Sequence, residues 1–142
     1  AVAALVLARL AALDHDDHAR AAATGILRAF AGAAPRFAPS AATYFRAVRW
    51  VTRPVTTVMV VEDPAAAAAG ESLRRTALRA YRPLAVVRCF DPDAVDPDRL
   101  PPPVRAMLTG DAPRAYVCAG PTCAAPVSDP AELSVLLRDF TG

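Results

Sequence analysis

The spacing of hydrophobic positions changes twice along this chain. From residue 2 to residue 13 the apolar side chains Val2, Leu5, Val6, Leu7, Leu10 and Leu13 fall on nearly every side of a helix, the pattern of a segment with neighbours on several faces. Asp14-His15-Asp16-Asp17-His18 interrupts it with capping side chains and acids, which suit the start of a second helix. That helix is predicted over 17–33, with Ala22, Ile26, Leu27 and Phe30 as its stripe and Gly32 and Pro35 closing it. A third helix is predicted over 41–51, with Tyr44, Phe45, Val48 and Val51 turned to the core. Three helices joined by short breaks predict helical hairpins.

After residue 54 the period changes. Val55-Thr56-Thr57-Val58-Met59-Val60-Val61 is β-branched and almost continuously apolar, as a strand covered on both faces is. Asp63-Pro64 then sets an N-cap followed by proline at the first helical position, and a helix is predicted over 64–81 with Leu73, Ala77 and Tyr81 on one stripe. A second strand follows at 84–90. Strand, helix and strand with short connections make a βαβ unit. Proline-rich residues 91–103 read as a loop, 104–108 as a helical turn stopped at Gly110, and 114–118 as a third strand. The last helix opens at Asp129-Pro130-Ala131-Glu132, a capping box with aspartate in place of serine, and buries Leu133, Leu136, Leu137 and Phe140.

The expected fold class is therefore α/β. Helical hairpins at 1–53 are expected to pack with a small, mainly parallel three-stranded sheet (βαβ plus a third strand) and a C-terminal helix at 54–142. The all-round apolar character of residues 2–13 further marks the chain as a fragment of a longer protein, with partners for that helix elsewhere.

Composition narrows the classes of function. The basic residues are all arginine, and the excess of alanine and proline fits a GC-rich coding bias rather than a function. A net charge of +2, with arginines spread along the chain, gives no clustered basic face, so neither nucleic acid nor a membrane is expected as a partner. The apolar N-terminus lacks a basic leader, is broken by Arg9 and is too short to span a bilayer. Three cysteines do not make a disulfide scaffold, and the odd count points to a cytoplasmic protein.

Cys118 and Cys123 flank the turn Gly120-Pro121 with four residues between them. A thioredoxin-type redox pair has two, which seats the second thiol over the first at a helix N-terminus. Two readings stay open for this pair. Either Cys118 ends a buried strand while Cys123 packs under the last helix, or the turn brings both thiols together for redox chemistry. A zinc site is not expected, since Cys89, Cys118 and Cys123 give one loose ligand pair where structural sites show two tight ones. His15 and His18 read as parts of a solvated turn, and Arg74, Arg75, Arg79 and Arg82 as a solvated helix face. No glycine-rich fingerprint follows the first strand: Glu62-Asp63 stands there, and two acids repel a phosphate. No cofactor and no catalytic constellation is read from these residues.

Ala115-Tyr116-Val117-Cys118, then Cys123, Pro126 and Asp129-Pro130-Ala131-Glu132-Leu133, resembles the C-terminal end of the thioredoxin domain-containing proteins related to spermatogenesis-associated protein 20. Val58 to Val61 and Tyr81 to Val87 resemble that family's preceding βαβ segment, and Ala1 to Leu13 the helix that opens its last hairpins. The resemblance implies a thioredoxin-like domain followed by a six-hairpin α/α toroid, similar to sugar epimerases and glycosidases, with this chain as the closing part. It implies a non-catalytic structural module whose partner is the missing N-terminal part of its own chain. It also leaves room for a small carbohydrate ligand in the intact protein, or for a redox role of Cys118 and Cys123. Glu62 stands where the family often has glycine, and no catalytic residue transfers to this chain.

Overall fold

The computed structural model describes residues 1–140. The chain divides into two compact units, the first Ala1–Val55 and the second from Thr56 onward.

The first unit is helical. α1 (Val2–Asp14) packs against both α2 (Asp17–Phe30) and α3 (Ala42–Thr52), which also touch each other. α1 ends with His15 in the left-handed region, its N–H donating to the Ala11 carbonyl, and Asp16 then caps α2 by accepting from the N–H groups of His18 and Ala19. This is the turn predicted from the Asp/His cluster. Small residues make the helix contacts: Ala4, Ala8, Ala11 and Ala12 of α1, Ala19 and Ala23 of α2, and Ala47 of α3 are buried. The expected aromatic core is only partly present. Phe30 and Phe45 are exposed, while Trp50 is buried with the Arg9 guanidinium 5.3 Å from its ring centre. Residues 34–41, expected as a break, wind into a 3₁₀ helix.

The second unit is a four-stranded mixed sheet carrying helices. β1 (Thr56–Val61) pairs in parallel with β2 (Ala85–Phe90), and α4 (Ala67–Arg79) forms the crossover after a 3₁₀ turn at Pro64–Ala66. A short helix, α5 (Pro102–Leu108), precedes β3 (Arg114–Ala119). β3 lies on the other side of β1 and runs antiparallel to it. β4 (Thr122–Cys123) folds back on β3, and α6 (Pro130–Asp139) closes the unit, giving the strand order β2-β1-β3-β4.

The α/β class and the βαβ unit are as expected. Two details differ: a fourth strand is present, and only the β1–β2 pairing is parallel. Alternation across the sheet divides its apolar residues between two cores. Val58, Val60, Ala115 and Val117 face one side with Leu73 and Ala77 of α4 and Leu133 and Leu137 of α6. Met59 and Phe90 face the other, with Val104 of α5 buried beside them and Tyr116 packed against the group. Tyr81, expected on the α4 stripe, is 92% exposed because the helix stops at Arg79.

Candidate functional site

The stretch around the two outer cysteines is a hairpin at the edge of the sheet. Gly120 and Pro121 are the only residues between β3 and β4. Gly120 has φ +58°, a conformation that glycine adopts without a steric penalty, and Pro121 fixes the negative φ required at the second position of a II′-type turn.

This turn sets the register that joins the cysteines. The N–H of Ala124 donates to the Val117 carbonyl at 2.9 Å, so the next pair, Cys118 opposite Cys123, is a non-hydrogen-bonded pair. Side chains approach most closely at such positions. Here the Cα atoms are 4.0 Å apart and the sulfurs form a disulfide. Cys118 is half-buried and Cys123 exposed, so the reading that packs Cys123 under the last helix does not hold. The last helix begins seven positions beyond Cys123, at Pro130.

Beyond β4 the chain keeps following β3. Val127 exchanges both backbone hydrogen bonds with Ala115, at 2.7 and 3.0 Å. Cys123 pairs with Cys118 while Val127 pairs with Ala115, so four residues on the outer segment span three on β3. This is a one-residue bulge, and Pro126 sits within it, where an edge tolerates a missing N–H. Asp129 then caps α6, accepting from the N–H groups of Ala131 and Glu132 at 2.5 and 3.2 Å. The hairpin, the bulge and the capped helix form one continuous piece, anchored through Val117 and Leu133, both fully buried.

Neither cysteine of the pair stands at a helix N-terminus, the position that activates a thioredoxin-type thiolate. The third cysteine is remote from them. Cys89 pairs with Val60 on β1, whereas Cys118 pairs with Thr57, which places them on opposite faces of the sheet. Cys89 is free and exposed. Partial burial and the Glu62 carboxylate push its pKa up, opposed by the Arg74 guanidinium, with Glu71 adding a smaller push upward. Among the described residues no group of three or more His, Cys, Asp or Glu side chains is arranged to hold a metal ion. His15 lies exposed in the α1–α2 turn and His18 exposed in the first turn of α2.

Two open clefts lie on the second unit. One, of about 330 Å³, sits beyond the C-terminal ends of β1 and β2 and is lined by Glu62, Asp63, Glu71 and Asp91 together with Pro64 and Ala67. Ligands of α/β sheets commonly bind at this end, but here the wall is carboxylate, in keeping with the acids read after β1. Glu71 is held below the usual carboxylate range by hydrogen bonds from Arg75 and Arg74, each at 2.6 Å. The other cleft, of about 490 Å³, lies between the start of β3 and the segment before α6, lined by Asp111, Ala112, Pro113, Arg114, Val127 and Ser128 among others. The Arg114 guanidinium folds back over Gly110 and bonds the Asp111 carbonyl, so a side chain at 110 would make the end of the Arg114 side chain shift.

Arg82 has a role that sequence reasoning missed. Its guanidinium donates to the carbonyls of Leu137 and Phe140 at the end of α6, tying the α4–β2 loop to the last helix. An arginine before a proline carries no sequence mark of this, because the acceptors are backbone groups more than fifty residues away. No known protein family, no curated protein and no solved structure matches this chain.

Proposed function

We propose that this chain is the C-terminal structural module of a thioredoxin domain-containing protein related to spermatogenesis-associated protein 20. The observation that carries this reading is the behaviour of the residues on which the resemblance rests. Tyr116-Val117-Cys118, Cys123, Pro126 and Asp129 to Leu133 are not scattered surface features: they form one strand, one disulfide hairpin, one bulge and one capped helix, continuous in the fold. A module of this kind closes the larger protein and contributes no catalytic residue of its own. The apolar positions Val2, Val6 and Leu10 of α1, exposed at 66%, 49% and 43%, support a partner in the remainder of the protein. The test is the coding DNA upstream of Ala1. An encoded thioredoxin-like domain and a run of helical hairpins are expected, and a start codon directly upstream would defeat the reading.

A second reading, thiol exchange through Cys118 and Cys123, is favoured by the disulfide itself and by the exposure of Cys123. On the cytoplasmic reading of the odd cysteine count, disulfides are usually transient, and exposed disulfides are the labile ones. The pair therefore cycles between disulfide and dithiol. Mass measurement after alkylation across a graded thiol–disulfide buffer is expected to show both states, and a pair that stays in one state throughout rules the cycle out.

A further inference from the structure

The direction from which this disulfide is attacked follows from its place in the sheet, on the thiol-exchange reading above. Cys118 and Cys123 lie directly opposite each other, so the bond between them runs across the strands rather than along them. An incoming thiolate attacks one sulfur and expels the other, so it must approach from behind the sulfur it attacks. Behind the Cys118 sulfur lies the sheet itself: Thr57 of β1 pairs with Cys118, and Val86 of β2 pairs with Thr57. Behind the Cys123 sulfur lies the outer edge, because β4 is the last strand in the order. Exposure agrees, with Cys123 exposed and Cys118 half-buried. Backbone direction agrees too. A residue of a non-hydrogen-bonded pair turns its N–H and C=O away from its partner strand, so those of Cys123 point to the same edge and meet an extended segment arriving there.

We propose that the Cys118–Cys123 disulfide is an electron acceptor entered at Cys123, and that its donor is a protein dithiol of the Cys-x-x-Cys class. The donor's first thiolate attacks the Cys123 sulfur, forming an intermolecular disulfide and releasing Cys118 as a thiolate, which takes up a proton. The donor's second thiol loses its proton, attacks the donor's own first sulfur and releases Cys123 as a thiolate, which takes up a proton. The donor leaves as a disulfide, this chain holds two thiols, and two electrons have passed. Cys89 takes no part, since it lies on the other face of the sheet. Both resolving electrons therefore come from the donor.

The experiment mixes the oxidised 142-residue chain with a Cys-x-x-Cys protein whose second cysteine is replaced by serine, and maps early acid-quenched adducts by peptide mass. The Cys123 adduct is expected to exceed the Cys118 adduct by about tenfold, since access decides which sulfur is attacked. In parallel, the unmodified dithiol protein is expected to convert the chain to two newly alkylatable thiols. Equal adducts, or adducts mainly on Cys118, overturn the entry point while leaving exchange intact. No adduct, with no reduction by the unmodified donor under conditions where dithiothreitol opens the bond, overturns both the entry point and the exchange reading.

Discussion

Arg82 is the residue whose removal most directly tests how the second unit is held together. The last carbonyls of a helix have no partner within it, and α6 presents those of Leu137 and Phe140 to the Arg82 guanidinium. The contact supplies two hydrogen bonds from one cation and places positive charge at the negative end of the helix dipole. A hydrogen bond to a charged group is worth about 1.5–3 kcal/mol, but Arg82 is half-buried and the released carbonyls regain some water. The pair together is therefore set at about 2 kcal/mol rather than at the sum. For a unit of this size that corresponds to a fall in Tm of roughly 10 °C for Arg82→Ala. Arg82→Lys keeps the charge but lacks the planar fork that spans both carbonyls, and should fall between. Urea unfolding followed by circular dichroism gives the free energy. Amide exchange at Phe140, whose N–H bonds the Leu136 carbonyl at 2.8 Å, reports whether the end of α6 frays. A loss below about 0.5 kcal/mol, the range of an ordinary surface substitution, with unchanged exchange at Phe140, would refute the reasoning.

Three further outcomes follow from local geometry. The Glu71 carboxyl titrates below its usual value, so its stabilising contribution is present above the ordinary carboxylate range and is lost as pH falls through its lowered midpoint. Carbon-detected NMR titration should show Arg75→Gln raising that midpoint and Arg74→Gln raising it less, whereas a midpoint indifferent to both would remove the ion pairs as its cause. The Cys89 thiol should alkylate slowly at neutral pH, and Glu62→Gln should speed it by lowering the thiol pKa; no change in the pH–rate profile would exclude the carboxylate. Gly120→Ala meets no atom within 4 Å, so its cost is conformational alone, about 1–3 kcal/mol, and an unchanged melt would mean that the turn relaxes.

Local chemistry made most elements readable. Period and capping placed β1, β2, β3 and α6 within a residue or two, because β-branched runs, Asp-Pro caps and glycine stops act over a few positions. The orientation of β3 was not readable in this way. α5 stands between β2 and β3, yet β3 arrives antiparallel beside β1; alternation tells which face Val117 and Ala115 bury but not the direction in which the strand runs. Helix faces also misled where alanine does the packing. In α2 the buried positions are Ala19, Ala23 and Leu27, so Ala22 and Phe30, on the predicted stripe, turn outward. For the candidate site, a spacing of four residues was compatible with two separate thiols or with a bond. The Gly120-Pro121 turn held the missing information, since a two-residue connection places Cys118 and Cys123 in direct opposition.

The position of β1 has a consequence for how the protein is made. Of the four strands of this sheet β1 leaves the ribosome first, yet one of its two edges waits for β3, and part of its core face waits for Leu133 and Leu137 of α6. An emerging chain can pair β1 with β2 under α4 early, with Leu73 and Ala77 covering part of Val58 and Val60, but the rest of that face stays bare until α6 emerges. The nascent intermediate therefore displays a bare strand edge and an apolar face together, the combination most prone to mispairing with neighbouring chains. Emergence of α6 is the step that ends this exposure, which makes truncation just before α6 more hazardous to this fold than loss of an equal length before β1.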